Sequence, residues 1–206
     1  MLPPMRVLIV LAHPSPASFN HAIAREVANS LTSVGHQVIL KDLYAEAFDP
    51  LLPAGEAARA ATLPPYVATA VAELAGADGI VIVHPNWWGM PPAILTGWVD
   101  RVIRVDSAYK FQPGDHGEGV PIGLLKARAA LVINTADTDP VRERDVFGDP
   151  LERIWRNCIF GLCGVQDFHR KTFSVTVTST DAERSAWLSQ AGELARTVFP
   201  SDNPDT

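Results

Sequence analysis

Three short, nearly unbroken apolar runs limit what this 206-residue chain can fold into. They occupy residues 6–12, 79–83 and 129–135, and residues 36–40 and 168–178 read as two further strands. A continuous run of that length, too short for a helix of its own, reads as a strand buried on both faces. Between the runs, apolar residues recur at helical spacing. Ile23, Val27, Leu31 and Val34 form one stripe, and Val67, Val71 and Leu74 a second. Leu95, Trp98, Val99 and Val102 form a third.

Local signals punctuate these segments. Ser18 is placed to cap a helix over residues 19–34, and Gly35 can end it in a left-handed turn. Asp149, Pro150 and Glu152 supply N-cap, first position and third position of a helix that Gly164 closes. Thr180 and Glu183 form a capping box for a last helix reaching about Val198, beyond which residues 200–206 read as a frayed tail. Strand and helix thus alternate five times with neither repeat nor linker. The expectation is an α/β fold in one domain spanning residues 1–206. It is a doubly wound sheet of five parallel strands in the flavodoxin-like order 2-1-3-4-5, with helices on both faces. Ligands in that topology bind beyond the carboxyl ends of the strands, where the order reverses. The loops after the first and third strands meet there.

Composition excludes several function classes. Seventeen basic and 23 acidic residues are interspersed, giving a formal charge of −6 and no basic block. That argues against nucleic acid or an anionic membrane as partner. No apolar stretch reaches transmembrane length, and the first six residues lack the pattern of a signal peptide, so the expectation is a soluble cytoplasmic protein. Cys158 and Cys163 read as two buried core thiols, and the six histidines show no metal-ligand spacing.

The two converging loops are unusual. The first, residues 13–20, opens a helix with hydroxyls at Ser15 and Ser18, as a phosphate site requires, although it has neither a G-x-G-x-x-G fingerprint nor a Walker A lysine. The second is His84-Pro85-Asn86-Trp87-Trp88-Gly89-Met90-Pro91-Pro92. Adjacent indoles beside Gly and Pro suit a flat aromatic cofactor such as a flavin, and two core tryptophans are the alternative. A third loop after the fourth strand, residues 134–139, offers backbone amides and Thr135. Residues 106–125, rich in Gly, Pro and charge, form an insertion of the kind that often shapes a site.

Residues 8–20 (LIVLAHPSPASFN), Asp42-Leu43-Tyr44, residues 84–102 (HPNWWGMPPAILTGWVDRV) and Ala108-Tyr109-Lys110-Phe111 resemble the NAD(P)H:quinone oxidoreductase family of flavodoxin-like flavoproteins. That family includes the ancillary oxidoreductases of potassium-efflux systems. The resemblance implies FAD, with FMN as the alternative, and NAD(P)H as co-substrate. It implies that His13, Ser18, Phe19, Asn20 and Ala22 hold the flavin's phosphate and ribityl region. Pro85, Asn86, Trp87, Trp88 and Gly89 would lie along the isoalloxazine, with backbone donors near its N5 and O4. Thr135, Ala136 and Asp137 would approach the pyrimidine side, and Arg184 the adenosine portion.

Trp87, Trp88, Gly89 and Tyr109 are the catalytic candidates, Tyr109 and Phe111 lining the acceptor pocket partly from the second subunit of a homodimer. The activity implied is ping-pong transfer, as hydride to the flavin and then two electrons to a quinone or similar flat electrophile. A regulatory flavin-binding subunit of a potassium-efflux system is the alternative. One departure stands out. Animal quinone reductases have a Gly-Gly turn followed by a Tyr and a His that relay charge, whereas this chain has Ala136-Asp137 and, near the histidine position, Phe147.

Overall fold

The computed structural model describes residues 3–115 and 117–201. The central sheet contains β1 (Arg6–Leu11), β2 (Gln37–Asp42), β3 (Gly79–Pro85), β6 (Ala129–Thr135) and β7 (Asp167–Phe173). All pairings within it are parallel, in the order β2-β1-β3-β6-β7. This is the flavodoxin-like order expected from the alternation. The helices are α1 (Phe19–Ser33), α2 (Pro65–Ala75), α3 (Ala93–Val102), α4 (Pro140–Asp145), α5 (Pro150–Arg153) and α6 (Asp181–Val198).

Side chains alternate across a strand, so each apolar run feeds both faces of the sheet. Leu8, Val10, Ile80, Ile82, Ala130 and Val132 pack with Leu95 and Trp98 of α3 and with Trp155. Val7, Ile9, Val81, Val83, Leu131 and Ile133 pack with Ile23, Val27 and Leu31 of α1 and with Ala191 and Ala195 of α6. Register then fixes where the loops emerge. Leu11 pairs with Val83, and Pro85, two residues further, pairs with Thr135. The three strands therefore release their loops at one edge.

Several local expectations are corrected. The last strand leaves the ladder at Phe173, where Thr176 turns back to give its hydroxyl and amide to the Ala136 carbonyl. The insertion contains a small antiparallel pair, β4 (Tyr109–Lys110) and β5 (Ile122–Gly123). Asp149 does not cap α5: it is left-handed, with φ 44°, and both of its carboxylate oxygens accept from Arg170 instead. Beyond α5 the chain widens into a π-helix, Ile154–Gly161. Its winding differs from 3.6 residues per turn, and Cys158 faces outward while Cys163 is buried, so only one thiol is a core thiol. Burial pushes the Cys163 thiol up to about 11. The expected frayed tail falls mostly on residues 202–206, outside the described residues, as does His116. Among the described residues no helix is long and apolar enough to cross a membrane.

Candidate active site at the carboxyl edge of the sheet

The loop after β3 closes on itself. Trp87 and Met90 exchange both backbone hydrogen bonds, at 3.2 and 2.9 Å, around Trp88 (φ 59°) and Gly89 (φ 73°). Two central residues with positive φ make a tight hairpin turn. Glycine accepts this backbone freely, but a tryptophan there is strained. The turn lifts Trp88 almost wholly into solvent, 96 % exposed, and leaves Trp87 exposed as well. Neither indole is core packing. A Cβ on Gly89 would lie 2.6 Å from Pro150 Cγ, so glycine is required on two counts.

Asn86 ties the loop down. Its amide N–H donates to the Thr135 carbonyl, its Oδ1 accepts the Gly89 N–H, and its Nδ2 donates to buried Glu143. The Trp87 and Gly89 amides are therefore engaged inside the loop, and the Trp88 backbone N–H makes no hydrogen bond among the described residues. Ala136 is also committed, since its N–H donates to Phe173. Of the backbone donors expected to face a ligand, those of Asn86, Trp87, Gly89 and Ala136 are occupied.

The first loop ends at Ser18, whose Oγ accepts the His21 N–H as the N-cap of α1. Asn20 is 3 % exposed; its Nδ2 donates to Thr135 Oγ1 at 2.9 Å, and its Oδ1 has no partner. Leaving a buried acceptor unmade is costly, which marks it as a group awaiting a ligand's donor. His13, Phe19, Asn20, Pro85 and Trp87 line a cavity of about 270 Å³ together with Thr135, Ala136 and Asp137. Asp137 accepts the Val177 N–H, which holds the loop after β7 against this cavity. Ala22 stands half-buried in the first turn of α1. Arg184 donates to Ser179 Oγ and the Thr176 carbonyl and lies over Phe19, 5.9 Å from its centroid.

A neighbouring cavity of about 530 Å³ is lined by Asn86, Trp88, Gly89, Arg142, Phe147 and Pro150. The residue at the relay-histidine position thus faces this space with a phenyl ring, over which Arg142 sits at 5.2 Å. Tyr109 and Phe111 do not join either cavity; they line a third, of about 420 Å³, beside Cys158. Within one chain the structure does not bring Tyr109 to the Trp88 loop.

Sequence reasoning missed a buried polar chain behind the loop. His84 is completely enclosed, and its Nε2 accepts from Trp155 Nε1 at 3.0 Å and from Asn134 Nδ2 at 2.9 Å. Indole N–H is only a donor, so the proton of the ring resides on Nδ1, which donates to the Pro85 carbonyl at 2.8 Å. Asn134 Oδ1 accepts in turn from Arg170, the guanidinium that holds Asp149. Burial lowers the His84 pKa to about 4 and keeps the ring neutral. The only sequence signal was a histidine at the end of an apolar strand. Among the described residues, no group of three or more His, Cys, Asp or Glu could hold a metal ion.

Against known families, residues 5–195 match the model of the flavodoxin-like fold family Flavodoxin_2. The chain is 30 % identical over 193 residues to a Haemophilus influenzae protein named an uncharacterized NAD(P)H oxidoreductase, covering 92 % of this chain and 93 % of that one. The chain belongs to the flavodoxin-like NAD(P)H:quinone oxidoreductase family. It is accordingly an oxidoreductase. NAD(P)H dehydrogenase [quinone] 1 of Rattus norvegicus is 31 % identical over 201 residues, covering 86 % of this chain and 72 % of the relative. Smu.1420 from Streptococcus mutans superposes with a TM-score of 0.81 at 28 % identity, over 94 % of this chain and all of that one. An NAD(P)H:quinone oxidoreductase from Methanothermobacter marburgensis shares the fold with a TM-score of 0.81 at 24 % identity, over 96 % and 98 % of the two chains.

Proposed function

We propose that this member of the family is a flavin-dependent enzyme that oxidises NAD(P)H and reduces a quinone or similar flat electrophile, in ping-pong fashion and as a homodimer. The observation that carries the reading is the orphaned acceptor Asn20 Oδ1, buried beside a cavity bounded by all three loops of the sheet edge. Bound there, a flavin takes two electrons from NAD(P)H and passes them on to the acceptor. His13, Ser18, Phe19, Asn20 and Ala22 hold its phosphate and ribityl chain, and residues 85–89 flank its ring. The Trp88 N–H would be the backbone donor free to hydrogen-bond the bound group, a role in which fixed backbone dipoles are effective. Thr135 Oγ1 already accepts from Asn20, so its own proton is free to donate.

NAD(P)H and acceptor occupy the 530 Å³ cavity in turn, against the exposed Trp88 indole. Reducing a quinone to a hydroquinone takes one proton beyond the hydride, and solvent at this cavity would supply it, since Phe147 at the relay position carries none. Tyr109 completes the pocket only from a second copy. FAD is favoured over FMN because Arg184 stands on Phe19 at the rim of the cavity; a structurally similar azoreductase from Bacillus anthracis, 16 % identical, was solved in complex with FMN.

The test is the visible spectrum of the purified protein, chromatography of the acid-released cofactor, and initial rates with NAD(P)H and a quinone. Flavin bands, one equivalent of FAD and parallel double-reciprocal lines are expected. A colourless protein that takes up neither FAD nor FMN would sink the reading.

A further inference from the structure

Beneath the mouth of α1 lies a hydrogen-bonded series that the proposed reaction does not use. His21 Nε2 is 2.8 Å from Asp42 Oδ2, and His21 Nδ1 is 2.9 Å from Ser18 Oγ. The imidazole is buried, and Asp42 is held by the amides of Tyr44 and Ala45, which donate to its other oxygen. An ionised carboxylate only accepts, so Nε2 carries a proton. In the neutral ring, Nδ1 is then an acceptor and takes the hydrogen of the Ser18 hydroxyl. In that state Ser18 has no hydrogen to offer an anion at the helix mouth, and the imidazole does not offset the charge of Asp42 behind it.

The surroundings supply little other positive charge. Residues 13–20 contain no lysine or arginine. His13 stands edge-on to His21 at 6.3 Å, and burial, opposed by the Ser15 backbone, lowers its pKa. On α1 itself the first turn carries no acidic residue, and Arg25 follows His21 by four positions.

We infer that Asp42, His21 and Ser18 form a proton-coupled clamp for the phosphate of the bound flavin. On binding, His21 takes one proton from solvent at Nδ1. That N–H then donates to Ser18 Oγ, and the hydroxyl turns its own hydrogen toward a phosphate oxygen. Asp42 and imidazolium become a neutral pair, and the phosphate meets a donor instead of a committed hydroxyl. Ser18 Oγ has two lone pairs, enough to accept both His21 N–H groups at once. The inference rests on the flavin reading above. His21 and Asp42 are positioning residues, since they act through Ser18.

The experiment is isothermal titration of the flavin-free protein at pH 8 in two buffers of different ionisation enthalpy. An imidazole is ordinarily neutral at that pH. FAD is the main ligand, because its pyrophosphate does not titrate in this range, and riboflavin, which lacks phosphate, is the control. Uptake of about one proton per FAD is expected, with affinity falling up to about tenfold from pH 7 to pH 8, as linkage to one proton requires. Riboflavin binding should be pH-independent. His21→Gln, whose fold is checked by circular dichroism, should abolish the uptake and flatten the FAD profile; Asp42→Asn should reduce both.

FAD binding without proton uptake, or uptake unchanged in His21→Gln, overturns the clamp and leaves the flavin reading intact. Failure of every flavin to bind removes both.

Discussion

His84 shows how one enclosed residue links the core to the site. Its neutral ring satisfies the indole of Trp155 and fixes the Pro85 carbonyl at the base of the tryptophan loop. Its pKa is lowered to about 4 in the fold, so the unfolded chain binds the proton more readily. The stability this affects is fully present above about pH 6.5 and is lost as pH falls toward 4, by an amount on the order of 3 kcal/mol. Thermal denaturation across that window should show the acid limb, and His84→Gln, which keeps an acceptor for Trp155, should flatten it. Trp88 behaves oppositely because it touches little of its own chain. Trp88→Ala should change unfolding free energy by no more than about 0.5 kcal/mol. The KM for a quinone should rise roughly 3- to 10-fold, the worth of one aromatic stacking contact. An unchanged KM would remove Trp88 from the acceptor pocket.

At the scale of elements, the β3–α3 loop is the least ordinary piece of backbone. Its turn depends on Gly89 at φ 73°, pressed against Pro150 at the start of α5. Gly89→Ala combines left-handed strain with a contact that must give way, and should cost about 1–3 kcal/mol. It should also lower flavin retention, readable by dialysis against buffer, since the loop and α5 would have to separate. The sequence showed that a tight loop stood here, because Trp-Gly and Pro-Pro punctuate the end of an apolar run. It did not show that the two tryptophans point outward, since pairing of Trp87 with Met90 is a property of the closed turn. The π-helix was hidden for a similar reason: residues 154–161 have ordinary helical periodicity, and only packing reveals which winding they adopt.

For the whole molecule, the consequential arrangement is the separation of Tyr109 from Trp88 within one chain. If the pocket is completed across a two-fold axis, each subunit lends its Tyr109 to the other. Assayed at quinone well below KM, Trp88→Ala and Tyr109→Ala should each run several-fold slower than wild type. Unfolded and refolded together, they should regain intact sites equal to about a quarter of the wild-type complement, and their rate should rise above the mean of the two parents, because half the dimers are mixed and each mixed dimer holds one intact site. No recovery from a verified heterodimer would place Tyr109 outside the reacting pocket.

The order of strands and helices, the edge at which ligands gather and the loops that form it were legible in the sequence. Apolar runs of strand length and helical stripes leave one economical way to bury both faces of a sheet. Asn20 at the start of a helix, and Thr135 and the tryptophan loop at strand ends, were legible too as candidates. Only the tertiary structure joined His21 to Asp42, His84 to Trp155 and Arg170 to Asp149. It alone joined Arg101 of α3 to Glu56 in a buried ion pair. These partners are 21 or more positions apart in the chain. Their pairing follows from which polar groups the folded core leaves without water, and that is decided by packing in three dimensions rather than by local pattern.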